Sequence, residues 1–231
     1  MKDKWKPLRE NLFRSVEPKV ELVAITQPVG RYKELCTSDS LPGYVARQSH
    51  ESKGTIEDDL RLDNDLVGWD HTTPYQATEF VFDVTNTSKS LQAQWTRHKI
   101  GVGWIYRSTR YVSASGNSFV YCTYDYLDDE EKVKALLVID EQIAKGAIEA
   151  FDKKREIGAS KEDSRKVMPV AFATNCYYFT NARALRHLFK LRLDKHAEWE
   201  IRRMTKMIWD VCTEWTPSLF EDFRELRESE F

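Results

Sequence analysis

Residues 167–193 read VMPVAFATNCYYFTNARALRHLFKLRL, and this stretch decides the fold class. Its first half, Val167 to Thr180, is dense in β-branched and aromatic residues and predicts a buried strand. From Asn181 to Leu193 the pattern changes, and a helix is expected. A strand running directly into a helix points to a mixed domain. Outward from it, residues 197–215 predict a further helix and residues 217–227 a last short one. Upstream, residues 128–154 give the clearest helix. Val133, Leu136, Leu137, Ile143, Ala147, Ile148 and Phe151 follow three/four spacing, and the acidic run 128–131 suits a helix N-terminus. Residues 19–27 and 78–87 alternate as strands, the second with Phe80, Phe82 and Val84 on one face. Short helices are expected near 42–52 and 89–98. The polar residues 51–68 carry two glycines and read as an exposed loop, as does the glycine-containing stretch from Gly101. The sum is an α+β fold in which helices outweigh strands.

The chain has 231 residues, 41% hydrophobic and 31% charged, with a formal net charge of -2. That length can bury a full core without disulfide or metal staples. The near-neutral balance argues against a general nucleic-acid or membrane-surface binder, since both select a basic excess. Any anion site must be local, made by a few arginines gathered in one place. Cys36, Cys122, Cys176 and Cys212 are widely spaced and form no C-x-x-C pair, so reduced thiols are expected and no metal site. The first residues contain no apolar leader, and no run reaches about 18 apolar residues, so a soluble cytoplasmic protein is expected.

Two places concentrate unusual side chains. In the first, Gln94, Arg97, His98 and Lys99 are followed by Arg107, Ser108, Thr109 and Arg110, interleaved with Trp95, Trp104, Tyr106 and Tyr111. Guanidinium forks match phosphate geometry, and aromatic rings stack on bases or flavins. The alternative is a solvated basic helix end. The second runs from Arg165 to Arg192, where Arg183, Arg186 and His187 are expected on one face of a helix. Lys190 and Arg192 have a plainer explanation as cations complementing a helix C-terminus. No Ser-His-Asp set, metal cluster or P-loop is visible. The residues describe an anion-binding, aromatic-lined site without a nucleophile.

In order along the chain stand His71-Thr72-Thr73-Pro74-Tyr75-Gln76, Gln94-Trp95-Thr96-Arg97-His98-Lys99, Ser108-Thr109-Arg110-Tyr111, Arg165 to Pro169, Asn181-Ala182-Arg183, and Arg192 with Ala197-Glu198-Trp199-Glu200-Ile201. This set resembles the flavin-dependent thymidylate synthases, whose motifs are H-x-T-x-x-E, Q-W-x-R-H-R-x7-S-x-R-Y and N-A-R-x8-R-x4-A-x-W-E-I. The resemblance implies one catalytic domain over residues 1–231, with a central antiparallel-rich sheet, assembling as a homotetramer whose active sites lie between subunits. It implies C5 methylation of a uridine nucleotide, dUMP or UMP, without a cysteine nucleophile. FAD, NADPH and methylene-tetrahydrofolate would supply the redox chemistry and the carbon. Thr73, Gln76, Arg97, His98, Lys99, Asn181, Arg183 and His187 would hold the flavin. Gln94, Ser108, Thr109 and Arg110 would bind the nucleotide. Arg192 would bind it too and polarise its carbonyl, Arg165 would support nucleotide or folate, and His71 would lie near the flavin.

The chain departs from those motifs in four ways. Lys99 stands for an arginine, Gln76 for a glutamate, and eight residues rather than seven separate Lys99 from Ser108. The family's S-x-N-E is absent from the intervening stretch, which reads as a rebuilt nucleotide loop. Hydroxymethylation, or nucleotide and flavin binding without catalysis, are the alternative readings.

Overall fold

The computed structural model describes residues 12–108, 110 and 118–229. Its strands are β1 (Lys19–Ile25), β2 (Glu79–Ser88), β3 (Val102–Tyr106) and β4 (Ala173–Asn181). Its helices are α1 (Leu41–Ala46), α2 (Ile56–Gly68), α3 (Lys89–Trp95), α4 (Glu130–Glu156), α5 (Lys161–Ser164), α6 (Ala182–Arg192), α7 (Trp199–Trp215) and α8 (Arg224–Glu228). The strands form one sheet in the order β1-β2-β4-β3. Ala182 N donates to Thr78 O at 2.8 Å, and Thr87 Oγ1 to Thr174 O at 3.2 Å, so β2 and β4 run in opposite directions. The mixed, antiparallel architecture is the expected one.

Three expectations about secondary structure need correction. Residues 51–68 are not a loop over most of their length, because α2 begins at Ile56. The Thr55 hydroxyl accepts from Asp58 N at 3.3 Å while the Asp58 carboxylate accepts from Thr55 N at 3.0 Å, which is a capping box. Asp59, Asp63 and Leu66 form its buried positions. Two aspartates thus occupy an inward helical face, and a reading based on apolar periodicity misses it. The stretch from Gly101 is also no loop: residues 102–106 are β3, an edge strand whose Trp104, Ile105 and Tyr106 suit a pleated surface. Finally, β4 starts at Ala173 rather than Val167, since Arg165–Val167 form a 3-10 turn and Pro169 follows. Its outer half is not doubly buried either, because Tyr177 and Phe179 are exposed while Cys176, Tyr178 and Thr180 are buried.

The chain divides into two compact units. The first gathers described residues within 1–19, 85–94 and 106–176. Its core packs Val133, Leu137, Ala144, Ile148 and Phe151 of α4 against Phe119, Tyr121 and Phe172. Asp129 caps α4, its Oδ1 accepting from Glu131 N and Lys132 N at 3.1 Å. Ile143 was expected inside but is exposed along with Val138 and Ile139, and Ala144 takes the inward position.

The second unit comprises 20–84, 95–105 and the described part of 177–231. Tyr178 of β4 centres an aromatic cluster, 4.6 Å from the Trp95 ring and about 6 Å from Phe82 and Trp104. Gly43 of α1 lies so close to the Asp59 backbone of α2 that any Cβ would collide with it. Arg186 does not join Arg183 and His187 on one face of α6, as expected. It is buried, donates to both carboxylate oxygens of Asp222 at 2.9 and 2.5 Å and to Leu219 O at 2.6 Å, and lies between the rings of Tyr75 and Phe223. Its role is to fasten α6 to the residues after α7.

Candidate functional site

In the second unit, the turn from β4 into α6 builds the site. Asn181 is the N-cap of α6, and its Oδ1 accepts from Ala184 N at 2.9 Å. Gly101 approaches that side chain with φ +69°, and a Cβ there would sit 2.8 Å from Asn181 Nδ2. Both the backbone conformation and the space therefore require glycine. Arg183 and His187, four residues apart on α6, are both exposed. Arg192 closes the last turn, and its Nε donates to Nε2 of His98 at 3.1 Å. The His98 ring meets the His187 ring edge-on, with centroids 6.0 Å apart.

As an acceptor at Nε2, His98 must be neutral with its proton on Nδ1. Burial pushes its pKa below the ordinary imidazole value, and the charges of Arg192 and His187 push it the same way. The geometry and the electrostatics agree. Arg97 and Lys99 flank His98 and are exposed. Thr73 and Gln76 are exposed on the 3-10 segment Thr73–Ala77, which packs against α6 and is anchored by buried Tyr75, whose hydroxyl donates to Asp63 O at 3.0 Å. His71, just before that segment, is exposed too. Every flavin-assigned residue, with His71 and Arg192, thus belongs to the second unit.

Gln94, Ser108, Arg110 and Arg165 belong to the first unit. Ser108 Oγ accepts from Arg110 N at 3.3 Å, and the Arg110 side chain makes an exposed ion pair with Glu162 at 3.4 Å. Such an exposed pair contributes little to stability. Arg165 lines a cavity of about 300 Å³ together with Lys89, Lys166, Met168, Pro169, Val170 and Phe172. Thr109, also assigned to the nucleotide, lies outside the described residues. Sequence reasoning passed over Lys89; the signal was a cation opening α3, the helix that carries Gln94. Among the described residues no group of three or more His, Cys, Asp or Glu side chains could hold a metal, and the four cysteines are free thiols. No described helix is long and apolar enough to cross a membrane.

The arrangement offers exposed cations and a guanidinium hydrogen-bonded to a neutral imidazole. Residues 32–218, which span every one of these side chains, match the family described as "Thymidylate synthase complementing protein". The chain belongs to this family. A flavin-dependent thymidylate synthase of Thermosipho africanus (strain TCF52B) is 31% identical over 180 residues, covering 73% of this chain and 78% of the relative. One of Haloarcula marismortui is 27% identical over 191 residues, covering 69% and 73%. One of Nitratidesulfovibrio vulgaris is 29% identical over 219 residues, covering 88% and 86%.

Proposed function

We propose that the protein is a flavin-dependent thymidylate synthase that methylates C5 of dUMP, with methylene-tetrahydrofolate as carbon donor and NADPH as reductant. The whole chain acts as one catalytic domain in a cytoplasmic homotetramer. The observation that carries this reading is the Arg192–His98–His187 assembly, set in a chain of this family whose Arg97, Lys99 and Arg183 are exposed.

The residues present fit FAD. Arg97, Lys99 and Arg183 are exposed cations and His187 an exposed ring, a set that would suit a pyrophosphate, and Asn181 caps the helix that carries Arg183 and His187. When bound, the flavin supplies the redox chemistry that no side chain of the site can perform. The protein's part is recognition and charge stabilisation. His98 occupies Nε of Arg192, which leaves the two terminal guanidinium nitrogens to donate to the pyrimidine carbonyl. Those donors stabilise negative charge that develops on the ring as C5 becomes nucleophilic. Neutral His98 holds the guanidinium without competing for that charge. Ser108 and Arg110 bind the 5′-phosphate, and Gln94 the nucleotide beside it.

The purified protein is expected to carry yellow flavin absorbance. Arg97→Ala combined with His187→Ala should strip that absorbance and leave the circular dichroism unchanged, since both side chains are exposed. A wild-type protein that takes up no flavin on reconstitution contradicts the proposal.

A further inference from the structure

Helix α4 packs one face against the core of the first unit, and its opposite face is unlike that of a solvated helix. Val133, Leu137, Ala144, Ile148 and Phe151 point inward and are buried. On the outward side Val138, Ile139 and Ile143 are 51, 51 and 52% exposed. Ala135, Gln142 and Gly146 are exposed beside them. Ala135, Ile139, Gln142 and Gly146 follow one another at spacings of four, three and four, so they form one seam along the helix. Val138 and Ile143 flank that seam, Lys132 extends it toward the start of α4, and Glu149 toward its end. Two helices that pack knobs into holes need this alternation of three and four.

Gly146 strengthens the case. Glycine inside a helix is less favourable than alanine, and a reason for it is expected. A Cβ at Gly146 would meet nothing within 4 Å, and its φ is not positive. Neither the packing nor the backbone of this chain therefore calls for glycine there. Opposite a second helix, Gly146 and Ala135 would let two backbones approach closely.

The ends of α4 point to what covers the face. The first turn carries Glu130 and Glu131, and the last turn Lys153, Lys154 and Arg155. A second α4 laid antiparallel brings the acidic start of each helix to the basic end of the other. Laid parallel, it would set like charges side by side. In the antiparallel register Ala135 meets Gly146 of the second copy, Ile139 meets Gln142, and Lys132 meets Glu149, each contact made twice by symmetry. Small faces small at the seam, and opposite charges meet at both rims. Within its own chain Lys132 is paired with Asp129 at 3.1 Å, an exposed contact that contributes little.

We propose that α4 is a self-association surface, on which a second copy of this chain packs its own α4 antiparallel in an isologous pair. The inference goes beyond the proposed function. No residue assigned to flavin or nucleotide lies between Glu130 and Glu156, so its failure would leave the methylase reading where it stands.

The test is sedimentation equilibrium of wild type, Ile139→Asp, Lys132→Glu and Glu149→Lys across a concentration series. All three side chains are exposed, so circular dichroism should not change. Ile139→Asp sets two carboxylates into the middle of the seam and should weaken the contact by about 100-fold, read as a halved mass. Lys132→Glu and Glu149→Lys each oppose like charges at both rims and should weaken it by roughly 10-fold. An equimolar mixture of those two variants should associate as wild type does, because each supplies the charge that the other lacks. That recovery is specific to the antiparallel register. Equal masses for wild type and Ile139→Asp would overturn the proposal, as would a mixture that stays as weak as its components.

Discussion

Arg192→Ala is expected to lower turnover with dUMP by roughly 10²–10³-fold, the usual loss when one donor to a developing oxyanion is removed. The fold should survive, because α6 is anchored by Leu185, Leu188 and Phe189, all at most 1% exposed, and by the buried Arg186–Asp222 pair. Flavin content should be nearly unaffected, while dUMP binding weakens less than turnover does. Arg192→Lys should rescue poorly. An ammonium cannot donate to His98 and to a carbonyl with the fixed divergence of a guanidinium. The same geometry predicts an acid limb. Protonating His98 removes the acceptor for Arg192 Nε and sets a second positive charge against it. Because the His98 pKa lies below the ordinary imidazole value, turnover should hold down to about pH 6.5 and fall only beneath it. Unchanged turnover in Arg192→Ala would remove its proposed role. An activity loss that begins above neutrality would assign the titration to another group.

Asp63→Asn should stabilise the protein at neutral and alkaline pH, by roughly 4–5 kcal/mol at pH 7–8. Asp63 is 1% exposed on α2. Burial first, then the charges of Asp39 and Asp59, push its pKa up to about 8, against weaker opposition from the Gly43 backbone amide and Arg186. Asp59 itself is paired with Arg47, and Arg186 is committed to Asp222. The folded protein therefore keeps a proton on Asp63 up to about pH 8, whereas the unfolded chain has lost it above about pH 4. Stability from this group is complete below the unfolded value, declines as pH rises, and is gone above about pH 8. Asparagine is neutral at every pH and should abolish that slope. Urea unfolding at pH 5, 6.5 and 8 measures it: the gap between variant and wild type should widen with each step. Parallel curves would mean that Asp63 is ionised in the folded protein throughout.

The same aspartates show where the sequence was legible and where it was not. The strands around Phe80 to Val84, the helix from Val133 to Phe151 and the strand-to-helix turn at Asn181 were readable because their buried faces are apolar, and apolar periodicity is what a sequence displays. Helix α2 was not readable because Asp59 and Asp63 sit on its inward face, and only the Thr55–Asp58 capping box announced it. Arg186 was misplaced for the same reason in reverse. A charged residue at helical spacing from Arg183 and His187 was grouped with them, but its partner Asp222 lies 36 residues downstream, and that contact leaves no local mark. The candidate site residues were named through the order of their motifs. What the motifs could not carry was the hydrogen bond between Arg192 and His98, 94 residues apart, or the edge strand formed by residues 102–106.

The most direct test is mass spectrometry of the nucleotides after anaerobic incubation of the protein with FAD, NADPH, methylene-tetrahydrofolate and an equimolar mixture of dUMP, UMP and dCMP. The proposed function predicts that dUMP alone gains the mass of one methyl group, and that omitting the folate or NADPH abolishes the gain. A hydroxymethyl product, or a methyl on UMP, would contradict the assignment of this chain as a dUMP methylase. No mass change in flavin-loaded protein would contradict catalysis itself.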